Sequence, residues 1–282
     1  MLGNPAARGG TGDVERVVDE LRAGGRRATL LRAGSAQESA AAAAQAVADG
    51  AERLVVVGGD GLVRIAVDAV AGSDVVLGIV PQGTGNDFAR ALGLLEGRFA
   101  DHVRRALADP AAVDAMRTDR GWVASVAGFS GDVTARANGL RWPRGQQRYT
   151  VATLLQLPRL RRLHARITVD GVAHEADNTL LAIGNTAYFG GGMRICPDAR
   201  PDDGLLHVVV IGPVPVTTFL RVFPRVFRGG HVNHPDVATY TGRQVTVEGE
   251  EGDMWADGDL LGPLPLTCEA VPGALRVAGA TT

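Results

Sequence analysis

The sequence predicts a two-domain protein: an α/β domain built on a parallel sheet, followed by a β-rich domain. Three observations predict it. Strand-like and helix-like segments take turns over about the first 110 residues, the pattern of a parallel sheet covered by helices on both faces, hence three-layered. From about Ala112 onward, strand-like runs dominate. The chain has 282 residues, 45% of them hydrophobic, which is more than one usual domain needs and enough for separate cores.

In order along the chain, Val14 to Ala23 reads as a helix and Arg27 to Leu31 as a strand. Ala36 to Ala48 is an alanine-rich helix, a composition that forms helix rather than disorder. Arg53 to Val57 reads as a buried strand, Leu62 to Val70 as helix, Val76 to Val80 as strand and Asp87 to Leu92 as helix. Met1 to Gly3 leaves little room for a first strand before Asn4-Pro5, so that strand is expected to be clipped or replaced. In the second part, Val113 to Met116, Trp122 to Ala127, Ala165 to Val169, Thr179 to Ile183, Leu205 to Ile211 and Val245 to Val247 are strand-like. Asp170-Gly171 between two alternating runs signals a hairpin. The expected domains are 1–112 and 113–270.

Composition excludes several functions. The formal net charge is −2, so the overall field does not favour nucleic acid, and none is expected as a partner. Every basic side chain other than histidine is arginine; the sequence contains no lysine. Schiff-base chemistry and a lysine-bearing Walker-A site are therefore excluded, and phosphate must be held by arginine, hydroxyl or backbone amide. Two isolated cysteines, Cys196 and Cys268, make neither a disulfide framework nor a zinc site, and fit a reducing compartment. The six histidines form no metal-ligand pattern. The N-terminus lacks a signal-peptide core, and no apolar run approaches the roughly 20 residues of a membrane span. A cytoplasmic protein that visits the membrane surface only transiently is expected.

Two glycine loops carry the sharpest chemistry. Val55-Val56-Val57 runs into Gly58-Gly59-Asp60-Gly61 and then a helix. Glycines let backbone amides approach an anion, and a helix N-terminus adds partial positive charge. Asp60 sits where phosphates would arrive, which requires a cation or water between them. The second loop, Pro81-Gln82-Gly83-Thr84-Gly85-Asn86-Asp87, again joins strand to helix. Thr84 offers a hydroxyl to phosphate, and Asn86 or Asp87 could instead cap the helix. Either loop alone reads equally well as a tight turn. Together they lie at neighbouring carboxyl ends of a parallel sheet, where open α/β folds bind ligands. Asn4-Pro5-Ala6-Ala7-Arg8-Gly9-Gly10 reaches the same edge if residues 1–3 finish a strand.

Gly58-Gly59-Asp60-Gly61 followed by Pro81-Gln82-Gly83-Thr84-Gly85-Asn86-Asp87-Phe88-Ala89-Arg90 resembles the diacylglycerol kinase catalytic-domain family, soluble bacterial lipid kinases related to sphingosine and ceramide kinases. Gly184-Asn185, Gly190-Gly191-Gly192-Met193, Pro197-Asp198-Ala199, Asp202-Asp203-Gly204-Leu205-Leu206, Asp257-Gly258-Asp259 and Pro272-Gly273-Ala274-Leu275-Arg276-Val277 continue the resemblance in order to the end of the chain. The resemblance implies a nucleotide-binding α/β domain rejoined by 271–282, a β-sandwich second domain, and an active site in the cleft between them. It implies ATP and Mg2+ as cofactors. ATP contacts would fall on Asn4, Pro5 and Arg8, on Gly58, Gly59, Asp60, Gly61, Leu62 and Arg64 through Ile65, and on Gly83, Thr84, Gly85 and Asn86. The catalytic carboxylates would be Asp257 and Asp259. A magnesium loop would use Asp203 with the backbone carbonyls of Arg200 and Leu205, and Asp132 would join a polar network near the cleft.

The residues themselves allow this chemistry. In an extended segment, Asp257 and Asp259 would share one side, one taking a proton while the other tunes it or holds magnesium; Asp257-Gly258 also suits a plain β-turn. Asp202-Asp203-Gly204 suits a hard cation or an exposed turn. Some residues depart from the family pattern. Leu62 replaces a usual threonine, Arg64 and Ile65 replace an Asn-Glu pair, and Arg8 is the nearest cation where a lysine often follows Asn-Pro. Arg32 or a neighbour replaces another threonine.

Arg141 to Arg166 mixes arginines with Trp142, Tyr149 and leucines, a composition that could dock on an anionic membrane or pack within the second domain. Phe219, Phe223 and Phe227 recur at helical spacing beside arginines, with Pro224 interrupting, and read as packing residues. The expectation is transfer of the ATP γ-phosphate to a lipid hydroxyl, diacylglycerol first, with a sphingoid base, ceramide or glycolipid as alternatives. A soluble acceptor such as NAD, or a non-catalytic nucleotide- or lipid-binding module, are the rivals. The partner is a lipid at the membrane surface, and a homodimer is a candidate assembly.

Overall fold

The computed structural model describes residues 1–3, 10–23, 25, 27–123, 125–129, 163–249, 253–257 and 259–281. The chain forms two compact units, Met1–Ala115 with Pro272–Thr282, and Met116–Val271.

In the first unit, β1 (Leu2–Gly3), β2 (Arg53–Gly58), β3 (Val76–Pro81) and the end of β15 (Leu266–Ala278) lie side by side in that order, every neighbouring pair parallel. Val55, Val57 and Val80 share a core with Val14, Val17, Val18 and Leu21 of α1 (Gly10–Ala23) and Val103 and Ala106 of α5 (Phe99–Ala106). The alternate residues Leu54, Val56, Leu77 and Ile79 are also buried. Strand periodicity turns them to the opposite face, where α3 (Asp60–Val70) packs on the sheet and α2 (Ala36–Ala48) packs on α3. The sheet is thus parallel and covered on both sides. Serine at the N-cap explains where α2 begins: the Glu38 amide donates to Ser35 Oγ at 3.1 Å.

The expected strand at Arg27 to Leu31 is not formed. That segment joins β1 only by a single bridge between Leu2 and Leu31. The Met1 ammonium donates to the Thr29 carbonyl, and the Leu31 amide to the Met1 carbonyl, each at 2.7 Å. A two-residue partner cannot support a longer ladder. Helix α5 escaped the sequence reading because only Val103 and Ala106 of its eight residues are buried, too thin a stripe to register as periodic.

The second unit is a β-sandwich. One sheet has the order β11 (Val237–Gly242), β10 (Leu206–Ile211), β9 (Leu180–Gly184), β6 (Ser125–Phe129), β13 (Asp253–Ala256) and β14 (Asp259–Pro263). The other runs from the start of β15 through β12 (Gln244–Glu248) to β7 (Leu163–Val169) and β8 (Val172–Asn178). All the pairings among these strands are antiparallel. Leu181, Ile183, Val208 and Val210 of the first sheet meet Ile167, Val169, Val245, Val247 and Cys268 of the second in one core. The hairpin expected at Asp170-Gly171 is present, with φ of 47° and 85° at those residues.

The opposite face of the six-stranded sheet, bearing Leu180, Ala182 and Val209, packs on Met193, Ile195 and Val226. There the chain forms α6 (Val216–Val222), then 3₁₀ helices at Phe223–Arg228 and Gly230–Asn233. Pro224 sits at the start of the first of these, where its missing N–H and fixed φ end the α-helical pattern. Among the described residues no helix is long and apolar enough to cross a membrane.

Candidate active site

Strands β2 and β3 end together, with Gly58 paired to Pro81. The loops that follow therefore leave the same edge of the sheet, and β1, parallel to β2, points toward that edge too. The two loops touch through their glycines. A Cβ added at Gly83 would lie 2.5 Å from the Gly59 Cα, and one added at Gly59 would lie 2.8 Å from the Gly83 Cα. Backbone meets backbone here, so no side chain fits at either position.

Polar side chains then lock the loops. Asn86, at a φ of 50°, accepts the Gly83 N–H on Oδ1 and donates from Nδ2 to the Gly83 carbonyl, both at 2.9 Å. It staples its own loop and makes no side-chain cap on α4 (Asp87–Ala91). The carboxylate at the start of α4 comes from the other loop: Asp60 Oδ1 accepts the Phe88 N–H at 3.4 Å, with the amides of Asn86 and Asp87 also facing it. Burial raises the Asp60 pKa, and those amides partly oppose the rise. Asp60 thus ties one loop to the next, a role that needs no cation between it and a phosphate. The spacing of the two motifs carried no sign of this link.

The other expected ATP contacts divide by exposure. Gly61 and Thr84 are exposed, and Gly85 and Arg64 partly so. The Leu62 side chain turns inward. It is 8% exposed and packs beside Gly58, and the Leu62 amide donates to the Gly59 carbonyl at 3.0 Å. Ile65 is 9% exposed and lies in the core as well. An amphipathic helix turns these positions inward whatever the loop before it binds. Asn4, Pro5 and Arg8 lie outside the described residues, as do Asp132, Gly258 and the stretch 141–162 of the basic, apolar segment.

Asp257 and Asp259 belong to the second unit, and their arrangement corrects the extended-segment expectation. Ala256 pairs with Asp259 across β13 and β14, so the chain reverses direction between them, with Asp257 at a φ of 50°. The two carboxylates stand on either side of a chain reversal. Asp257 is partly buried and Asp259 exposed. Aspartate followed by glycine is what a turn with positive φ demands, so the fold alone accounts for the pair of residue types.

In the Asp203 loop, Asp203 Oδ1 accepts the Leu205 N–H at 3.0 Å, and Oδ2 lies 3.4 Å from His207 Nε2. The Arg200 guanidinium pairs with Asp202 through two contacts of 3.1 Å. One carboxylate and backbone carbonyls are hard oxygen donors of the kind magnesium takes. Among the described residues no group of three or more His, Cys, Asp or Glu side chains could hold a metal, so a cation in this loop would rest mainly on backbone oxygens.

The Gly184-Asn185 motif lies at the end of β9. Asn185 and Thr186 are each 1% exposed. A Cβ at Gly184 would meet the Thr186 carbonyl at 2.8 Å and Cys196 Sγ at 3.0 Å, so the glycine of that motif answers to packing.

Comparison with known proteins defines the class. Residues 2–118 match the diacylglycerol kinase catalytic domain, and residues 123–279 match the YegS C-terminal NAD kinase beta sandwich-like domain. The chain belongs to the diacylglycerol kinase catalytic-domain family. It is 42% identical over 253 residues to a diacylglycerol kinase of Mycobacterium tuberculosis, covering 86% of this chain and 82% of that one. It is 32% identical over 238 residues to a probable lipid kinase YegS-like of Pseudomonas aeruginosa, covering 83% of this chain and 78% of that one. In fold it resembles a diacylglycerol kinase crystal structure from Bacillus anthracis, with a TM-score of 0.80 at 22% identity, covering 98% and 95% of the two chains. It resembles more distantly an ATP complex of an Archaeoglobus fulgidus NAD kinase, with a TM-score of 0.53 at 14% identity, covering 96% and 90%.

Proposed function

We propose that this protein transfers the γ-phosphate of ATP to the hydroxyl of a lipid, diacylglycerol in the first place, giving phosphatidic acid. The observation that carries the reading is the interlocked pair of loops at Gly59 and Gly83, rigid and at the carboxyl edge of a parallel sheet. The 42% identity to a protein named diacylglycerol kinase supports the choice of acceptor.

Phosphoryl transfer asks the protein mainly to position phosphates and orient the attacking hydroxyl. The start of α3 and the exposed Thr84 hydroxyl hold the phosphates through amide and hydroxyl donors, with Arg64 as the nearby cation. Asp257 takes the proton of the acceptor hydroxyl as its oxygen attacks the γ-phosphorus and the bond to the ADP oxygen breaks. Asp259 sets the charge around that base. Magnesium, when bound, supplies positive charge beside the phosphates, and Asp203 with the carbonyls of Arg200 and Leu205 would hold a further ion in its loop. The buried positions of Leu62 and Ile65 favour an active enzyme, since their departure from the family pattern falls in the core. The lipid meets the protein at the membrane surface, in a cytoplasmic setting, and a homodimer is compatible with this role.

Labelled ATP offered with diacylglycerol-containing vesicles, and separately with NAD, tests the reading. Label in phosphatidic acid, lost at least a hundredfold in Asp257→Asn with ATP binding retained, is the expected result. Label in NADP would establish the soluble-acceptor reading that the NAD kinase fold favours. Label in another lipid of a total extract, such as a ceramide, sphingoid base or glycolipid, would reassign the acceptor. ATP binding with no turnover on any of them would make the protein a non-catalytic binding module.

A further inference from the structure

A sheet edge is a row of unpaired backbone groups, and folded chains blunt it against unwanted pairing. Among the described residues, all the sheet edges but one are blunted. β1 has two residues and β5 (Gly121–Val123) has three. β14 carries Asp259 and Pro263, and its pairing with β13 shifts register at Met254 and Trp255. β8 carries Glu175 and Asp177, charges that disfavour an added strand. β11 is the exception. It ends the six-stranded sheet, and its run Val237-Ala238-Thr239-Tyr240-Thr241-Gly242 has neither charge nor proline. Ala238, Thr239 and Thr241 are exposed.

Register shows which groups this edge offers. The Gly212 amide donates to the Asp236 carbonyl at 2.8 Å, one step before Ile211 pairs with Val237. Antiparallel partners alternate between bonded and non-bonded pairs. Ala238, Tyr240 and Gly242 therefore bond to β10, and Thr239 and Thr241 turn their N–H and C=O groups outward. Among the described residues no hydrogen bond reaches those outward groups. The Val237 N–H is taken by the His234 carbonyl at 3.0 Å. Tyr240 faces the sandwich core and stacks on His174, with ring centroids 4.2 Å apart.

The outward residues flank Tyr240 symmetrically. A second β11, laid antiparallel about a two-fold axis at Tyr240, sets Thr239 of each copy opposite Thr241 of the other. Each such pair exchanges both of its N–H···O bonds, threonine side chains face each other, and no like charges meet. The neighbouring registers are poorer. A slip one way sets Thr241 opposite Val237, whose N–H is already bonded. A slip the other way sets Thr239 opposite Arg243, whose N–H is held by the Asp170 carboxylate at 3.0 Å. A strand whose free groups match their own two-fold image selects a second copy of the chain over an arbitrary peptide.

We propose that β11 pairs with β11 of a second copy of this chain, Thr239 opposite Thr241, and so joins two six-stranded sheets across a two-fold axis. The pairing needs no ligand and no turnover, so it stands or falls apart from the lipid-kinase reading.

Sedimentation equilibrium of the full-length protein tests this. The wild type is expected to rise with concentration from the 29.3 kDa monomer toward twice that mass. Thr239→Pro removes an outward N–H and leaves the bonds to β10 in place, so it is expected to weaken association at least tenfold. Thr239→Lys/Thr241→Lys sets like charges opposite each other in both pairs and is expected to do the same at low salt. Thr239→Lys/Thr241→Glu sets opposite charges together in this register and is expected to associate at least as tightly as the wild type. Melting curves confirm that each variant is folded, and the two charge variants decide the matter alone if Thr239→Pro unfolds. A wild type that stays monomeric at every concentration would overturn the second copy as occupant and leave the edge to an extended segment of another protein. A dimer that all three variants leave unchanged would place the contact elsewhere and overturn the pairing. Equal weakening by the two charge variants would overturn the register.

Discussion

Gly59, Gly61 and Gly83 look alike in sequence and differ in what surrounds them. At Gly83 an added methyl would fall 2.5 Å from a neighbouring Cα, and backbone cannot move aside as a flexible side chain can. Gly83→Ala is expected to lose about 1–3 kcal/mol of stability and to abolish ATP binding, as read by urea unfolding and calorimetric titration. Nothing lies within 4 Å of a methyl added at Gly61, and that residue is already helical. Gly61→Ala is expected to keep or raise stability, by up to about 1 kcal/mol, so a fall in its ATP affinity would report a ligand contact. Asp60 gives a pH signature. Burial raises its pKa, so the folded chain holds that proton more tightly than the unfolded one. Its contribution to stability therefore declines as pH rises from the ordinary carboxylate range, about 4, through the raised folded value. Asp60→Asn keeps an acceptor for the Phe88 amide and removes this decline, whereas Asp60→Ala loses the link and about 1 kcal/mol. Unfolding curves of the three proteins across acid to neutral pH would distinguish the cases. The two thiols are silent in the native protein. Burial pushes Cys196 and Cys268 each up to about 12, so a thiol reagent is expected to modify neither until the chain is unfolded.

At the scale of an element, the turn at Asp257 separates chemistry from conformation. A φ of 50° suits Asp, Asn or Gly and costs other residues roughly 1–2 kcal/mol. Asp257→Asn is therefore expected to melt like the wild type while losing turnover, and Asp257→Ala to lose both. Were the two variants equally inactive and equally stable, strain at this turn would not be as the backbone implies. The same loop shows why residue pattern misled: two aspartates two apart share a side only in an extended strand, and a glycine between them invited a reversal instead. The strand expected at Arg27 to Leu31 failed for another reason, its partner's brevity. Helix α5 was missed because arginines and a histidine interrupt its buried stripe. By contrast β2, β3 and α3 were legible because their apolar residues are continuous or strongly periodic, and burial leaves such patterns few alternatives.

At the scale of the whole chain, the last residues complete the first unit. Leu275, Val277 and Ala278 are at most 1% exposed, Arg276 and Val277 pair with Val76 and Leu77 of β3, and the Gly273 amide donates to the buried Asp114 at 2.8 Å. Ending the chain at Val271 would strip that strand, uncover the edge of β3 and leave Asp114 without this donor. The expected outcome is a protein that binds no ATP and shows reduced far-ultraviolet helical signal; normal ATP binding would show that the strand is dispensable. Amino-acid order by itself determined the α/β unit, the glycine loops at its sheet edge, the β-rich continuation and the family, because these rest on local periodicity and on short motifs with fixed spacing. Only the tertiary structure decided that Asp60 secures the next helix, that the Leu62 side chain is buried, and that Asp257 stands at a chain reversal. Each of those depends on which distant backbone comes within a few ångströms, and proximity of that kind leaves no periodic trace in a single sequence.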